Sequence, residues 1–186
     1  LAPLLDALEL IHASHCYHRD IAPDNIVLLD RAPLGADTTR PQDDMPVPVL
    51  LDFGAARRVI GDATQNLTVI LKPGYAPIEQ YSGSAQMRQG PWTDIYALCA
   101  TLYRALTGRT PAPSVERSIH DELVPAVVAA RGHCSEAFLG AIDTGMTVRP
   151  LERPQSVREL RALFDAAVPT VLLPPPSPTP AQAPAS

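Results

Sequence analysis

The residues of this chain that could carry chemistry lie in two short segments. Residues 18–25 read His-Arg-Asp-Ile-Ala-Pro-Asp-Asn, and the triplet Asp52, Phe53 and Gly54 follows an apolar run at 49–51. Transfer of a phosphoryl group needs a residue that orients the acceptor hydroxyl, metal ions on the phosphates and fixed positive charge beside the transferred group. Carboxylates, a carboxamide and an arginine are side chains that can meet these needs, and the two segments hold all of them.

The two segments together resemble the catalytic loop and the metal-binding turn of protein kinases. The five-residue step from Asp20 to Asn25, the apolar run at 26–29 after it, and the Asp-Phe-Gly triplet after a second run agree with that family. A lone triplet would be a weak signal, but the three features in this order are a strong one. The chain resembles the large lobe of bacterial, eukaryotic-like serine/threonine protein kinases over residues 1–167.

The resemblance implies a role for each polar side chain of these segments. Asp20 would be the base or hydroxyl-orienting residue, and Asn25 and Asp52 would hold Mg²⁺ on the phosphates of ATP. Arg19 would receive a phosphate of the activation loop or another anion, with a surface or helix-terminal arginine as the alternative.

The resemblance also implies roles for residues that hold the catalytic loop and the metal-binding turn in place. His18 would pack inward and hold the shape of the loop, and Phe53 and Gly54 would let the metal-binding turn move. Asp94 suits the start of a helix, where the helix dipole favours an acidic side chain. In kinases the matching aspartate hydrogen-bonds the backbone of the catalytic loop.

Two further motifs resemble the end of the kinase activation segment and the end of the large lobe. Residues 75–79 read Tyr-Ala-Pro-Ile-Glu and resemble the motif that closes the activation segment, with Glu79 as its glutamate. Arg153 opens an Arg-Pro-Gln-Ser sequence and matches the arginine that pairs with this glutamate. We expect a partly buried ion pair, and loss of one partner of such a pair costs about 3–5 kcal/mol.

The chain departs from the kinase pattern where a cation is expected. Serine/threonine kinases normally place a lysine two residues after the catalytic aspartate, where this chain has Ala22. Tyrosine kinases with alanine there place an arginine two positions later, where this chain has Asp24. Lys72 lies three residues before Tyr75, at a position that usually holds a threonine facing the catalytic aspartate. We expect Lys72 to reach Asp20 and replace the missing charge; a solvated loop lysine is the alternative.

The elements that must position these residues are mainly helical. Apolar spacing predicts helices at 1–14, 92–106, 115–130, 135–146 and 157–167, and strands at 26–29 and 47–51. Ser156 and Glu159 form a predicted capping box for the last helix, and His12 and His15 are expected to be ordinary helix-end residues. The fold class is therefore mainly α with a short β hairpin, the C-terminal (large) lobe of the protein-kinase-like fold.

Two long connections interrupt this pattern. Residues 30–46 are too many for a hairpin turn and indicate a solvated insertion. Residues 55–74 have no sustained period and fit an activation segment. Within it, Thr64 and Thr68 are candidate phosphorylation sites, with unmodified loop hydroxyls as the alternative.

Composition limits the partners and the setting. The net charge of −5 provides no basic patch for nucleic acid, and no apolar run approaches the roughly 20 residues that span a membrane. Three cysteines far apart in the sequence indicate reduced thiols and a cytoplasmic setting, although the parent protein could be membrane-anchored further on. Seven prolines among the last eighteen residues predict a disordered linker at 168–186.

We expect the chain to belong to a kinase that transfers the γ-phosphate of ATP to serine or threonine of a protein substrate. No Gly-rich loop precedes the catalytic loop, so the small ATP-binding lobe of the same parent chain is expected to lie outside this segment. The fragment alone is therefore expected to be inactive. Two alternatives remain, a pseudokinase scaffold, which Ala22 favours, and a small-molecule phosphotransferase of kinase-like fold.

Overall fold

A computed structural model describes residues 1–30, 46–53, 57–58, 71–81 and 87–166. Several predictions from the sequence fall outside these residues: most of the insertion at 30–46, Gly54, Thr64, Thr68 and the linker at 168–186. None of the helices in the described ranges is long and apolar enough to cross a lipid bilayer.

Helices make up most of the described chain, which confirms the prediction of a mainly helical fold. The α-helices in these ranges are α1 (Ala2–Ala13), α2 (Ile78–Tyr81), α3 (Pro91–Thr107), α4 (Ser114–Ile119), α5 (Ala126–Ala129), α6 (Glu136–Gly145) and α7 (Val157–Asp165). Two short 3₁₀ turns add to them, at Pro23–Asn25 and Pro150–Glu152.

Two small antiparallel pairs of strands lie beside the catalytic loop. The strands are β1 (Cys16–Tyr17), β2 (Ile26–Leu29), β3 (Val47–Leu50) and β4 (Arg57–Arg58). β2 pairs with β3, with Ile26 opposite Leu50, which confirms the predicted hairpin. β1 pairs with β4. Strands of two residues leave no alternation in a sequence, which is why the second pair was not predicted.

α3 is the central helix of the fold. All of its residues from 93 to 100 are buried. It ends at Gly108, whose φ of 71° is left-handed and whose N–H donates to the backbone oxygen of Arg104 at 2.9 Å. Glycine adopts this conformation without the steric cost that a Cβ atom would add. Because α3 is covered on all sides at its N-terminal half, a side chain on its first turn has a fixed position.

The single helix predicted at 115–130 is wrong, because this region forms α4 and α5 with an extended connection at 120–125. Pro125 restricts the residue before it to extended conformations and has no N–H for a helix interior. It therefore immediately precedes α5. Asp143 caps the new start by accepting hydrogen bonds from the N–H groups of Ala126 and Val127 at 2.6 and 3.2 Å.

α7 begins at a capping box that is shifted by one residue. Ser156 Oγ accepts from the N–H of Glu159 at 3.2 Å, as predicted. The Glu159 carboxylate accepts from the N–H of Gln155 at 2.8 Å and from the Ser156 hydroxyl at 3.2 Å. It therefore satisfies a backbone donor one residue before the cap, instead of the N–H of the cap itself.

A buried ion pair joins α2 to the C-terminal part of the fold. Arg153 Nη1 and Nη2 donate to Glu79 Oε1 and Oε2 at 2.8 and 3.2 Å, and neither side chain is exposed. The same guanidinium donates to the backbone oxygens of Thr147 and Val148 at 2.6 and 2.7 Å. It also stacks on the ring of Tyr96, 4.7 Å from the ring centroid. The pair is more deeply buried than the sequence suggested.

α6 approaches α3 closely at Gly145. A Cβ atom at this position would overlap Cys99 Sγ, whereas a Cβ atom at Gly140, on the same helix, would meet only a Val127 methyl at 3.9 Å. Burial raises the pKa of the Cys99 thiol to about 12, so this contact is between neutral groups.

Removing one member of the buried ion pair should destabilise the fold. Glu79→Gln and Arg153→Met each leave a buried charge without its partner, and we expect either to lower the free energy of unfolding by about 3–5 kcal/mol. The double variant should lose less than the sum of the two, since no unpaired charge then remains. Urea denaturation followed by circular dichroism measures the free energy of unfolding of all three variants. Strictly additive losses would show that Glu79 and Arg153 do not stabilise each other.

The close approach of α6 to α3 gives a second test of stability with a matched control. We expect Gly145→Ala to lower the free energy of unfolding by about 1–3 kcal/mol, because the added methyl overpacks the contact with Cys99. Gly140→Ala should raise it by up to about 1 kcal/mol, because alanine favours the helix and its methyl meets only Val127 at an ordinary contact distance. Thermal unfolding of both variants measures these changes. If the two variants changed stability equally, Cys99 would have to move aside freely for the new methyl.

Candidate active site

The backbone of the catalytic loop is held by one buried carboxylate on the first turn of α3. Asp94 Oδ2 accepts from the N–H of His18 and Asp94 Oδ1 accepts from the N–H of Arg19, both at 2.8 Å. Arg19 has a φ of 67°, in the left-handed region that non-glycine residues rarely adopt. The two hydrogen bonds therefore stabilise a loop conformation that the chain would not choose alone.

His12 also contacts this carboxylate, so the expectation that it is an ordinary helix-end residue is wrong. Its Nε2 atom lies 2.7 Å from Asp94 Oδ2, and its ring meets the edge of the Tyr17 ring with centroids 5.4 Å apart. The side chain is 8% exposed. A histidine in the last turn of a helix is common, and the aspartate that it contacts is 82 positions away, so the sequence carried no local signal of this contact.

His18 connects the catalytic loop to the metal-binding turn. It is fully buried. Its Nδ1 atom accepts a hydrogen bond from the N–H of Asp20 at 3.3 Å, so the ring proton is on Nε2. Nε2 in turn donates to the backbone oxygen of Leu51 at 3.0 Å. The ring also packs edge-on against Phe53, with centroids 4.9 Å apart. One side chain thus holds both segments in fixed relation.

Asn25 is bonded to Asp20 through its amide nitrogen alone. Asn25 Nδ2 donates to the backbone oxygen of Asp20 at 2.7 Å and to Asp20 Oδ2 at 2.8 Å. Asn25 Oδ1 accepts no hydrogen bond from the part of the chain that the structure describes. The side chain therefore fixes the Asp20 carboxylate and keeps an oxygen available as a ligand.

Asp52 follows Leu51, the residue that bonds the Asn25 backbone across the hairpin. The N–H of Leu51 donates to the backbone oxygen of Asn25 at 2.8 Å, and Asp52 follows with a left-handed φ of 57°. No group of three His, Cys, Asp or Glu side chains within the described ranges could enclose a metal. A carboxylate and a carboxamide oxygen do fit Mg²⁺, which commonly takes one or two protein ligands and completes its shell with phosphate oxygens and water.

Lys72 lies between two carboxylates of the catalytic loop. Its Nζ atom is 3.0 Å from Asp24 Oδ1 and 3.2 Å from Asp20 Oδ2. Partial burial lowers the pKa of Lys72, but hydrogen bonds and charges from Asp24 and Asp20 outweigh it, so the net pKa is raised. The ammonium is therefore charged at neutral pH. Lys72 is also the only lysine of the chain; its other cationic residues are arginines.

Gln80 is a loop contact that the sequence analysis missed. Its Nε2 atom donates to the backbone oxygen of Arg19 at 2.8 Å. Arg19 is thus held on both sides of its left-handed backbone, at the N–H by Asp94 and at the oxygen by Gln80. A neutral glutamine beside a motif glutamate has no charge or spacing signal that would have pointed to this contact.

A cavity of about 550 Å³ lies away from the catalytic loop. The charged side chains in its lining already have partners. Arg117 bonds Asp121 at 2.9 Å and Arg149 bonds Glu152 at 3.1 Å, while Asp143 accepts from the backbone at the start of α5. The hydrogen bonds from Arg117 lower the pKa of Asp121. The candidate active site is therefore the loop at 18–25, where Asn25 Oδ1 accepts no hydrogen bond from the described residues, and not this cavity.

Comparisons with known proteins identify the family. The model of the protein kinase domain matches residues 1–156. The "Serine/threonine-protein kinase PknA" of Nostoc sp. is 34% identical over 166 residues, and the "Serine/threonine-protein kinase F" of Synechocystis sp. is 28% identical over 168 residues. These alignments cover 86% and 89% of this chain but 26% and 30% of the two relatives. The chain thus spans less than a third of the length of these relatives.

A solved structure gives the same result at the level of the fold. "PpkA-294 apo form" is 39% identical to the chain with a TM-score of 0.67, and the match covers 88% of this chain and 52% of that one. The described elements, mostly helices with a two-stranded antiparallel hairpin, are those of the C-terminal lobe of a kinase. The chain therefore belongs to the protein kinase domain family, with bacterial serine/threonine protein kinases among its relatives.

Proposed function

We propose that the parent protein transfers the γ-phosphate of ATP to serine or threonine of protein substrates, and that this chain supplies its catalytic loop and metal-binding turn. The observation that carries the proposal is the convergence of Asn25 and Lys72 on one oxygen of Asp20. The names of the relatives support serine and threonine as acceptors. This chain spans only part of those relatives, so the activity is proposed for the whole parent protein.

Asp20 is the proposed hydroxyl-orienting residue. Its Oδ2 atom accepts from Asn25 and lies 3.2 Å from Lys72 Nζ, while Oδ1 accepts no hydrogen bond from the described residues. Oδ1 is therefore the atom that would accept the proton of a serine or threonine hydroxyl. The two contacts on Oδ2 keep the carboxylate from rotating, so the acceptor oxygen has a defined direction.

Asn25 and Asp52 are the proposed ligands of Mg²⁺. Bound Mg²⁺ and ATP would supply the phosphoryl group and neutralise charge on its phosphates. This chain would present Asn25 Oδ1 and the Asp52 carboxylate from the same end of the paired strands β2 and β3. Phe53, packed on His18, would hold the turn that carries Asp52.

Lys72 is the proposed replacement for the cation that kinases normally carry two residues after the catalytic aspartate. Ala22 occupies that position and is 1% exposed. A lysine ammonium is a compact point charge, whereas a guanidinium is a planar fork. The chain uses arginine for all its other cationic residues, so the one lysine is found where a compact charge fits between two carboxylates.

Arg19 is the proposed receptor of an anion, such as a phosphate on the activation segment. Its backbone is fixed by Asp94 and Gln80, which limits where its guanidinium can reach. Arginine suits this role because its fork of donors matches a phosphate. Thr64 and Thr68 stay candidate positions for that phosphate.

The small lobe of the same parent chain is the proposed partner of the hairpin surface. Leu28, Leu29, Leu51 and Phe53 on the hairpin and turn are between 42% and 64% exposed. Apolar side chains exposed together mark interaction surfaces. A covering lobe would bury them and bring the remaining phosphate-binding groups to Asp20.

A pseudokinase scaffold is the second candidate function. Ala22 supports it, because a catalytic loop without its usual lysine would face the γ-phosphate with too little positive charge unless Lys72 supplies it. The two candidates therefore differ in what Lys72 does, and both keep the fold.

Phosphotransfer by the full-length parent protein tests the proposal. Labelled Mg-ATP should label serine or threonine, and Asp20→Asn should lower kcat by about 10²–10⁴-fold, because it removes the acceptor of the hydroxyl proton. The isolated chain, assayed beside them, should transfer no measurable label. A folded parent protein that transfers nothing would support the scaffold, and label on a small molecule alone would support a small-molecule phosphotransferase.

Lys72 can be tested in the same assay. Lys72→Met should lower kcat by about 10²-fold, because it removes a preorganised positive charge from the transferred group. Lys72→Arg should retain more activity than Met but less than lysine, because the guanidinium keeps the charge in a different shape. Unchanged transfer by the Met variant would show that Lys72 is a solvated loop residue.

A further inference from the structure

We propose that Asp24 is a positioning residue for Lys72: its carboxylate holds the ammonium beside Asp20 and so sets where the replacement cation acts. The inference rests on the proposed kinase function and adds a residue to it. Nothing in the motif resemblance assigns this role to Asp24, which occupies the position where tyrosine kinases with an alanine loop carry an arginine.

The contact distances favour Asp24 as the anchor of the lysine. Lys72 Nζ lies 3.0 Å from Asp24 Oδ1, with hydrogen-bond geometry, and 3.2 Å from Asp20 Oδ2. Asp20 Oδ2 already accepts a hydrogen bond from Asn25 at 2.8 Å. Asp24 Oδ1 accepts only from Lys72 among the described residues, so Asp24 is the carboxylate that is free to hold the ammonium.

The backbone that carries Asp24 is rigid. Asp24 lies in the 3₁₀ turn Pro23–Asn25, where the N–H of Asn25 donates to the backbone oxygen of Ala22 at 3.0 Å. Pro23 fixes its own φ at the start of this turn. An anchor on such a turn restrains the flexible four-carbon side chain of Lys72, which a contact with Asp20 alone would leave free to rotate.

The number of donors on the ammonium leaves one for the substrate. A lysine ammonium carries three N–H groups. One donates to Asp24 Oδ1, and the ammonium also lies 3.2 Å from Asp20 Oδ2. Two such contacts leave at least one N–H for an anion that approaches the loop. The arrangement also joins the end of the activation segment, which carries Lys72, to the turn that carries Asp24, with Lys72 27% exposed and Asp24 67% exposed.

Asp6 provides a matched control for Asp24. Its carboxylate is also 67% exposed and also pairs with one cation, Arg161, at 2.6 Å. Asp6 lies on α1 and forms no hydrogen bond or ion pair with the catalytic loop in the part of the chain that the structure describes. A change from aspartate to asparagine therefore removes the same charge and the same kind of exposed ion pair at both positions. Asp24 contacts Lys72, whereas Asp6 contacts Arg161.

The test is steady-state phosphotransfer by the full-length parent protein, with Asp24→Asn, Asp24→Glu and Asp6→Asn. We expect Asp24→Asn to lower kcat by about 3–10-fold, because an exposed ion pair is weak but misplacement of a catalytic charge is amplified. Asp24→Glu should recover part of this loss, and Asp6→Asn should leave kcat unchanged. No loss in Asp24→Asn would overturn the proposal.

A double-variant cycle separates positioning from any other effect of Asp24. In a Lys72→Met background, Asp24→Asn should have no further effect on kcat, because there is no ammonium left to hold. A loss that persists in this background would mean that Asp24 acts on the substrate or the fold directly, and the proposal would be wrong.

A readout independent of activity keeps this inference separate from the proposed function. Amine acylation of Lys72 at alkaline pH, followed by mass spectrometry of the peptide that carries it, should be faster in Asp24→Asn than in the unmodified parent protein or Asp6→Asn. The reason is that loss of the neighbouring carboxylate lowers the pKa of Lys72 and frees its amine. Equal acylation rates in Asp24→Asn and the parent protein would show that Asp24 does not hold the Lys72 ammonium, and the proposal would be wrong. If the parent protein transfers no phosphate at all, the proposed kinase function fails, and the acylation rates alone decide whether Asp24 holds Lys72.

Discussion

The geometry of the site depends on one buried carboxylate. Asp94, at the start of the covered helix α3, accepts hydrogen bonds from the N–H groups of His18 and Arg19 and contacts the His12 ring. A buried charge is costly unless hydrogen bonds satisfy it, and here backbone donors from the loop do so, assisted by the dipole of the helix N-terminus. The catalytic loop is therefore fixed to the core of the fold, although it lies at its surface.

The end of the activation segment is attached to this framework by contacts of very different strength. Glu79 forms a fully buried pair with Arg153, Gln80 bonds the Arg19 backbone, and Lys72 meets carboxylates that are partly in solvent. Solvent screens an exposed ion pair far more than a buried one. The segment is thus firmly held at Glu79 and more easily adjusted at Lys72, which contacts Asp20.

Elements with a clear apolar period could be predicted from the sequence, and so could contacts that join opposite charges. α1, α6 and α7 each keep one apolar face, and α3 is apolar on nearly every turn. The missing cation at Ala22 and the extra cation at Lys72 indicated that Lys72 would contact Asp20. The failures have physical causes. The apolar spacing continued through the extended connection at 120–125, so two helices were predicted as one. His12 contacts Asp94, a partner distant in the sequence, and Gln80 bonds the loop through a neutral amide. Neither contact leaves a pattern in the sequence around the residue.

The restriction of lysine to a single position determines how the chain can be coupled to other materials. Arginine does not react with ordinary amine-directed reagents, because its guanidinium stays protonated. Apart from any N-terminal amine, a bead, a surface or a crosslinker that captures side-chain amines can therefore hold this chain only through Lys72. Immobilisation of this kind would place the support against Asp20 and Asp24, which contact Lys72, whereas coupling through the half-buried thiols of Cys16 or Cys134 would leave Lys72 unmodified.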